Sequence, residues 1–147
     1  MSAEIVIKEE VIEKAVLVNA KIIEFDAPYD KNYFAKRYQG KKHLILAAYY
    51  GKELAGYLVA YDRDNDGSFY CWMAGVDPEF RRKGILTSLM NYLVDWTKTQ
   101  GYQKIKITTR NRRRAMLSYL VKQGFYFTGV EEREKIEDFR IFLEKTL

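Results

Sequence analysis

The feature that most constrains this chain is a change of apolar period across residues 76–85. Ser68–Val76 reads as a strand. From Ile85 onward the spacing becomes helical. Ile85, Leu89 and Leu93 form one ridge and Leu86, Met90 and Val94 the adjacent one, a wide apolar stripe that ends near Gln100-Gly101. Between the two lie the turn Asp77-Pro78 and a basic loop, Arg81-Arg82-Lys83-Gly84. A strand that feeds a helix through so short a loop calls for layers of sheet and helix.

The flanking pattern agrees. Residues 4–8 alternate as a first strand, residues 11–25 carry apolar side chains at helical positions, and Lys31–Tyr38 reads as a short helix entered after Pro28-Tyr29-Asp30. Residues 44–50, 54–61 and 68–76 are strand-like, separated only by Gly51-Lys52 and by residues 62–67, which implies an antiparallel meander. Residues 104–109 alternate as a strand, and 115–123 form a second periodic helix stopped at Gly124 by a left-handed cap. Residues 125–130 and 139–143 close the chain as strands. The order β-α-α-β-β-β-α-β-α-β-β predicts an α/β mixed sheet of about seven strands, mostly antiparallel, with helices on both faces. No linker-like stretch or internal repeat interrupts it, so residues 1–147 are expected to form one domain.

Composition narrows the chemistry. The lone Cys71 rules out an intramolecular disulfide, and the single histidine, His43, argues against a Cys/His zinc site. No apolar run reaches the ~20 residues a bilayer span requires, and the first ten residues lack a basic-then-apolar signal design, so a cytoplasmic protein without membrane partners is expected. Lys plus Arg number 25 against 20 acids, a net charge of +5 that suits an anionic ligand as well as nucleic acid. The cations cluster at 81–83 and at 110–114, whereas 131–138 is largely acidic.

Two motifs imitate sites. Asp62, Asp64 and Asp66 before Gly67 look like the start of a calcium loop, but position twelve is Met73 and the flanks are strand-like, so a hairpin loop fits better. Cys71 between Tyr70 and Trp72 reads as a buried thiol with nothing local to activate it, and His43 as a surface residue. No metal is expected.

The loop at 81–87 is different. No Ser, Thr, Asp or Asn stands at 81–86 to cap the following helix, so its first amides lack side-chain partners. Bare donors, a helix dipole and three adjacent cations make an anion site suited to pyrophosphate, with Gly84 letting the main chain approach without a Cβ in the way. A solvated basic turn is the plainer alternative from local physics alone.

Val76-Asp-Pro-Glu-Phe-Arg81-Arg-Lys-Gly84-Ile-Leu86 resembles the acetyl-CoA signature of the GNAT N-acetyltransferase superfamily, a (Gln/Arg)-x-x-Gly-x-(Gly/Ala) loop after a Val-Asp-Pro turn. Arg81 and Gly84 match, and Leu86 departs where Gly or Ala is usual. The resemblance covers nearly the whole chain. It implies a GNAT-like fold and an enzyme that moves the acetyl group of acetyl-CoA, a co-substrate, directly to a primary amine of a small molecule or peptide. It further implies that the main chain of Ala74, Gly75 and Val76 pairs with the pantetheine arm. It also implies that amides from about Arg82 to Thr87, through Lys83, Gly84, Ile85 and Leu86, hold the pyrophosphate, with Arg81 at the first position of the cofactor-binding signature.

The family's later helix usually carries Asn-x-x-Ala-x-x-x-Tyr-x-x-x-Gly-Phe. Counting back from Gly124-Phe125, the Asn falls on Arg113, the Ala on Met116 and the Tyr on Leu120, while this chain offers Asn111, Ala115 and Tyr119. Tyr119 stands in for the family's general acid, but ~100° round the helix from the expected position. Either the helix is locally bulged, or Tyr119 only packs and the enzyme lacks a tyrosine acid. Asn111 is expected to cap the helix and to contact CoA. Glu24, Asp26 and Glu53 are the base candidates, each more often a solvated charge. Phe25, Tyr29, Tyr33, Phe34 and Tyr38 divide between core and an acceptor wall, which by cation–π attraction suits an amine.

Two other classes stay open: a non-catalytic acyl-CoA-binding module, suggested by the displaced tyrosine, and a small nucleic-acid-binding domain resting on 110–114. In the family reading that cluster instead lies near the cofactor's 3′-phosphate. Dimers are common in the family, so the resemblance also admits a homodimer.

Overall fold

A computed structural model describes residues 4–22 and 29–147. In chain order the elements are β1 (Ile5–Glu9), α1 (Ile12–Asn19), α2 (Lys31–Tyr38), β2 (His43–Tyr50), β3 (Glu53–Tyr61), β4 (Ser68–Val76), α3 (Ile85–Thr99), β5 (Lys104–Arg110), α4 (Arg114–Lys122), β6 (Tyr126–Glu131) and β7 (Arg140–Thr146). They build one seven-stranded sheet, ordered β1-β2-β3-β4-β5-β7-β6. Every neighbouring pair is antiparallel except β4 and β5, which run parallel.

The central strands are apolar on both sides, as strands covered by helices on both faces must be. Leu44, Leu46, Leu58, Ala60, Phe69 and Cys71 face α3 and α4, which contribute Ile85, Leu89, Met90, Leu93, Leu117 and Leu120. The alternate residues Ile45, Tyr57, Val59, Tyr61 and Tyr70 face α1 and α2, which contribute Ile12, Ala15, Val18, Phe34 and Tyr38. The period-2 alternation of the strands and the stripe of each helix thus meet in two cores.

Three boundaries differ from expectation. The first helix was expected over 11–25 but ends at Asn19. The buried Asn19 carboxamide donates to the Tyr57 hydroxyl at 2.9 Å and accepts from the Tyr29 amide at 3.0 Å, turning the chain there. Residues 23–25 of that expected helix, with Phe25, Glu24 and Asp26 among the candidates, lie outside the described residues. The last strand runs to Thr146 rather than 143, because Glu144 and Lys145 pair with β5 and Glu144 meets Lys104 at 3.5 Å; polar side chains hide that stretch from an apolar reading. Asn111 is not a helix cap. Arg113 holds that position, its side chain making no capping bond to the helix, while Asn111 donates to the Ile136 carbonyl at 3.2 Å and accepts from Arg114 at 2.8 Å.

The apparent calcium loop is a hairpin connection. Asp62 accepts from the Asn65 amide and the Tyr102 hydroxyl, and Asp64 and Asp66 accept from Lys106 at 3.1 and 2.8 Å. Among the described residues no cluster of three His, Cys, Asp or Glu could hold a metal, and no helix is long and apolar enough to cross a membrane.

Candidate functional site

Where β4 and β5 run parallel, the sheet divides. The two strands pair only from Ser68 opposite Lys104 to Cys71 opposite Ile107. On its other side β4 stays paired with β3 as far as Val76 opposite Gly56. From Trp72 to Val76, then, β4 keeps one partner and shows a bare edge towards β5. The divergence starts at a β-bulge: Cys71 pairs with Ala60 and Met73 with Val59, leaving Trp72 as the extra residue that bends the strand.

A cleft of about 850 Å³ fills the gap. Its floor is the bare edge of β4, with Ala74, Gly75 and Val76. Its far end is the N-terminus of α3. Asp77, buried and 3.4 Å from Lys21, accepts from the Glu79 amide and closes a short 3₁₀ turn, Pro78–Phe80. The chain then winds through two left-handed residues, Arg82 at φ +64° and Gly84 at φ +83°. Gly84 is the N-cap of α3 and supplies no side-chain bond; the first intrahelical bond runs from the Ser88 amide to the Gly84 carbonyl. The amides of Gly84, Ile85, Leu86 and Thr87 are the four that a helix leaves without internal acceptors. With the helix dipole behind them they favour an anion.

The walls suit an anion too. Arg81, Arg82, Arg110, Arg112, Arg113 and Arg114 all line the cleft, and among the described residues no carboxylate does. Arg112 also pairs with Asp138. Thr108 and Thr109, at the carboxyl end of β5, complete this side. Opposite stand Tyr29, Trp72 and Met73. Tyr29 stacks on Tyr33 with centroids 4.2 Å apart, and Trp72 packs against Phe34 at 5.2 Å, with the Arg37 guanidinium 5.1 Å above its ring. Of the aromatics flagged in the two N-terminal helices, Phe34 and Tyr38 are core and Tyr29 reaches the cleft.

Tyr119 stands on α4 across from α3. Its hydroxyl shares a 3.0 Å hydrogen bond with that of Thr87, in the first turn of α3. Burial raises the phenol's pKa above its ordinary value, and the bond to Thr87 acts the other way. The offset is not relieved by a bulge. α4 is unbroken from Arg114 to Lys122, and its bonds run from Leu117 to Arg113 and from Gln123 to Tyr119. Leu120, at the register of the resemblance's tyrosine, is buried in the core, and Arg113 and Met116 line the cleft at the other two.

Most residues singled out from sequence converge here: Ala74, Gly75, Val76, Arg81, Arg82, Gly84, Ile85, Leu86, Thr87 and Tyr119 all line one cleft. Two do not. The Lys83 ammonium turns away, 5.0 Å over the Tyr50 ring. Asn111 lines a separate groove between α4 and β6. Glu53 is exposed at the start of β3, away from the cleft. Cys71 is buried, its thiol pushed up to about 12 by burial, and His43 is exposed and stacked on Tyr38. Sequence reasoning missed Trp72, Met73, Thr108 and Thr109. The strand–helix–strand order contained the signal, since ligands sit beyond the carboxyl ends of parallel strands.

A family model for the GNAT acetyltransferase family matches residues 14–125. No curated protein matches the chain at a significant level. Several solved structures share the fold. The ribosomal-protein-S18-alanine N-acetyltransferase from Escherichia coli superposes with a TM-score of 0.83 at 15% identity, over 97% of this chain and 94% of that one. Arabidopsis thaliana Naa50, in complex with the bisubstrate analogue CoA-Ac-MVNAL, gives 0.79 at 18% identity over 97% and 99%. A GNAT family acetyltransferase from Elizabethkingia anophelis with acetyl-CoA bound gives 0.75 at 19% identity over 97% and 98%.

Proposed function

Because the chain belongs to the GNAT acetyltransferase family, we propose that it transfers the acetyl group of acetyl-CoA directly to a primary amine. The observation that carries this reading is the division of β4 from β5 onto an uncapped helix N-terminus, inside a cleft walled by arginines. A bare strand edge pairs with the amide-bearing pantetheine arm as an added strand would, through main-chain groups of Ala74, Gly75 and Val76. The pyrophosphate falls to the amides from Arg82 to Thr87. Arg110 and Arg113, which line the same cleft, neutralise a further phosphate in this reading.

The chemistry is one displacement. The amine nitrogen attacks the thioester carbonyl carbon, the C–N bond forms, the C–S bond breaks, and the carbonyl oxygen carries negative charge between the two events. Amides at the bare edge of β4 stabilise that oxygen because they are already oriented and need not reorganise. An ammonium acceptor first gives one proton to water, because only the neutral amine has the lone pair that attacks; after attack the nitrogen loses a second proton and the sulfur gains one. Tyr119 is protonated throughout the neutral range because its pKa is raised, so it supplies the sulfur's proton and is recharged through water from the nitrogen. The acceptor, a small-molecule or peptide amine, enters past Tyr29 and Trp72, whose ring faces attract an ammonium group.

The test is thiol release from acetyl-CoA across amino acids, peptides, polyamines and other amines. Amine-dependent release, with the acetyl group recovered on nitrogen, is the expected result. Saturable CoA binding without release on any amine would identify a non-catalytic binder instead.

A further inference from the structure

We propose that the Thr87 side chain is a positioning group for Tyr119: its hydroxyl anchors the phenol oxygen and donates a hydrogen bond to it while the phenol's proton passes to the coenzyme sulfur. This rests on the reading of Tyr119 as the acid. The Thr87 amide is one of the four free donors at the start of α3. Its side chain carries a separate task.

The other aliphatic hydroxyls of α3 show what a hydroxyl there ordinarily does. Ser88, Thr97 and Thr99 each donate to the carbonyl four residues earlier, Gly84 at 3.1 Å, Leu93 at 2.8 Å and Asp95 at 2.9 Å. Thr87 instead meets the Tyr119 hydroxyl on α4 at 3.0 Å. The displaced register of α4 explains why an anchor is useful. Leu120 fills the position of the resemblance's tyrosine and is buried, so the phenol that α4 brings to the cleft comes one residue early. A phenol turned round the helix needs a second point of attachment to fix its oxygen, and the first turn of α3 supplies it.

Hydrogen bookkeeping sets the direction of the bond. A threonine hydroxyl has one hydrogen and two lone pairs. Tyr119 keeps its own proton for the sulfur, so Thr87 donates and the phenol oxygen accepts. During transfer the phenol O–H bond breaks and the S–H bond forms. The phenolate left behind keeps the Thr87 bond, now charge-assisted and stronger. A proton from the acceptor nitrogen then returns to it through water. The bond to Thr87 accordingly lowers the pKa of Tyr119 while burial raises it.

The test compares Thr87→Val, which removes the hydroxyl at nearly constant shape, with Thr87→Ser, which keeps it. Turnover is followed as thiol release from acetyl-CoA with hydroxylamine as a minimal amine. Thr87→Val is expected to lower kcat about fivefold or more and to leave KM for acetyl-CoA within about twofold, with Thr87→Ser restoring kcat. In a Tyr119→Phe background Thr87→Val is expected to cost nothing further, since the two act as one unit. A second measurement needs no acceptor. The ¹³Cζ signal of labelled Tyr119, assigned by its loss in Tyr119→Phe, is expected to titrate at a pH higher by about 0.5 or more in Thr87→Val and unchanged in Thr87→Ser. The charged groups that share the cleft among the described residues are arginines, Arg113 and Arg114 of the α4 end included, and every variant keeps them. An unmoved midpoint, or losses that multiply in the double variant, would overturn the proposal and leave the acid in place. An unaltered kcat in Tyr119→Phe would remove the acid and this role with it.

Discussion

Gly84 and Tyr119 carry the site at the scale of single residues, and they differ in kind. Gly84 works by what it lacks. At φ +83° a side chain costs roughly 1–2 kcal/mol, although the nearest atom to an added Cβ, Ile5 Cδ1, is 4.0 Å away. The constraint is therefore conformational, and a glycine ahead of an uncapped apolar stripe announces it in sequence. Arg82, left-handed at φ +64°, gives no such signal, because arginine has no preference for that conformation. Nor does the Tyr119–Thr87 hydrogen bond, which joins residues 32 apart in the chain. Tyr119→Phe keeps the ring and removes the proton. It is expected to lower kcat about tenfold or more while leaving KM for acetyl-CoA within about twofold, a loss confined to the transition state. The sign of the pH effect follows from the raised phenol: the acid form persists until pH rises through a folded pKa above the ordinary 10.0. Wild-type kcat should show no descending limb below about pH 10. An unaltered kcat in the variant, or a limb near pH 8, would remove Tyr119 as the acid.

At the scale of elements the site depends on how closely α3 sits against the sheet. Gly56 on β3 pairs with Val76 at the end of β4. A Cβ there would lie 3.0 Å from Ile85 Cγ2 and 3.2 Å from the Gly75 carbonyl oxygen. Gly56→Ala is therefore expected to push the first turn of α3 and the bare edge of β4 apart, weakening acetyl-CoA binding about three- to tenfold by calorimetry. Unchanged affinity would mean that the junction yields freely. The succession of strands and helices was legible because the periods of 2 and 3.6 are carried by side chains that face two cores, Leu44, Leu46 and Ala48 alternating with Ile45 on a single strand. What defines the cleft was not. The bulge at Trp72 and the parting of β4 from β5 are facts about partners, and a strand's own pattern does not record where its neighbour leaves. The same reason hid the end of α1, which a carboxamide bond from Asn19 to Tyr57 on β3 decides.

At the scale of the whole molecule, a net charge of +5 says little until the sheet gathers its parts. Folding brings arginines from the loop before α3 and from the β5–α4 junction into one cleft, although about thirty residues of helix and strand separate them in the chain. The acidic run at 131–138 starts at the end of the edge strand β6 and returns to the β5–α4 junction, where Asp138 meets Arg112 and the Ile136 and Glu137 carbonyls accept from Asn111 and Arg112. Family membership and fold were accordingly readable from Val76–Leu86 and the order of elements, whereas the composition of the cleft walls needed three dimensions. The central claim is that main-chain amides at the tip of β4 and the start of α3 hold the coenzyme. Amide chemical-shift mapping of isotope-labelled protein during an acetyl-CoA titration addresses it directly. The account predicts saturable shifts concentrated at residues 74–76 and 82–87. Shifts confined to the groove between α4 and β6, or none at millimolar acetyl-CoA, would contradict it.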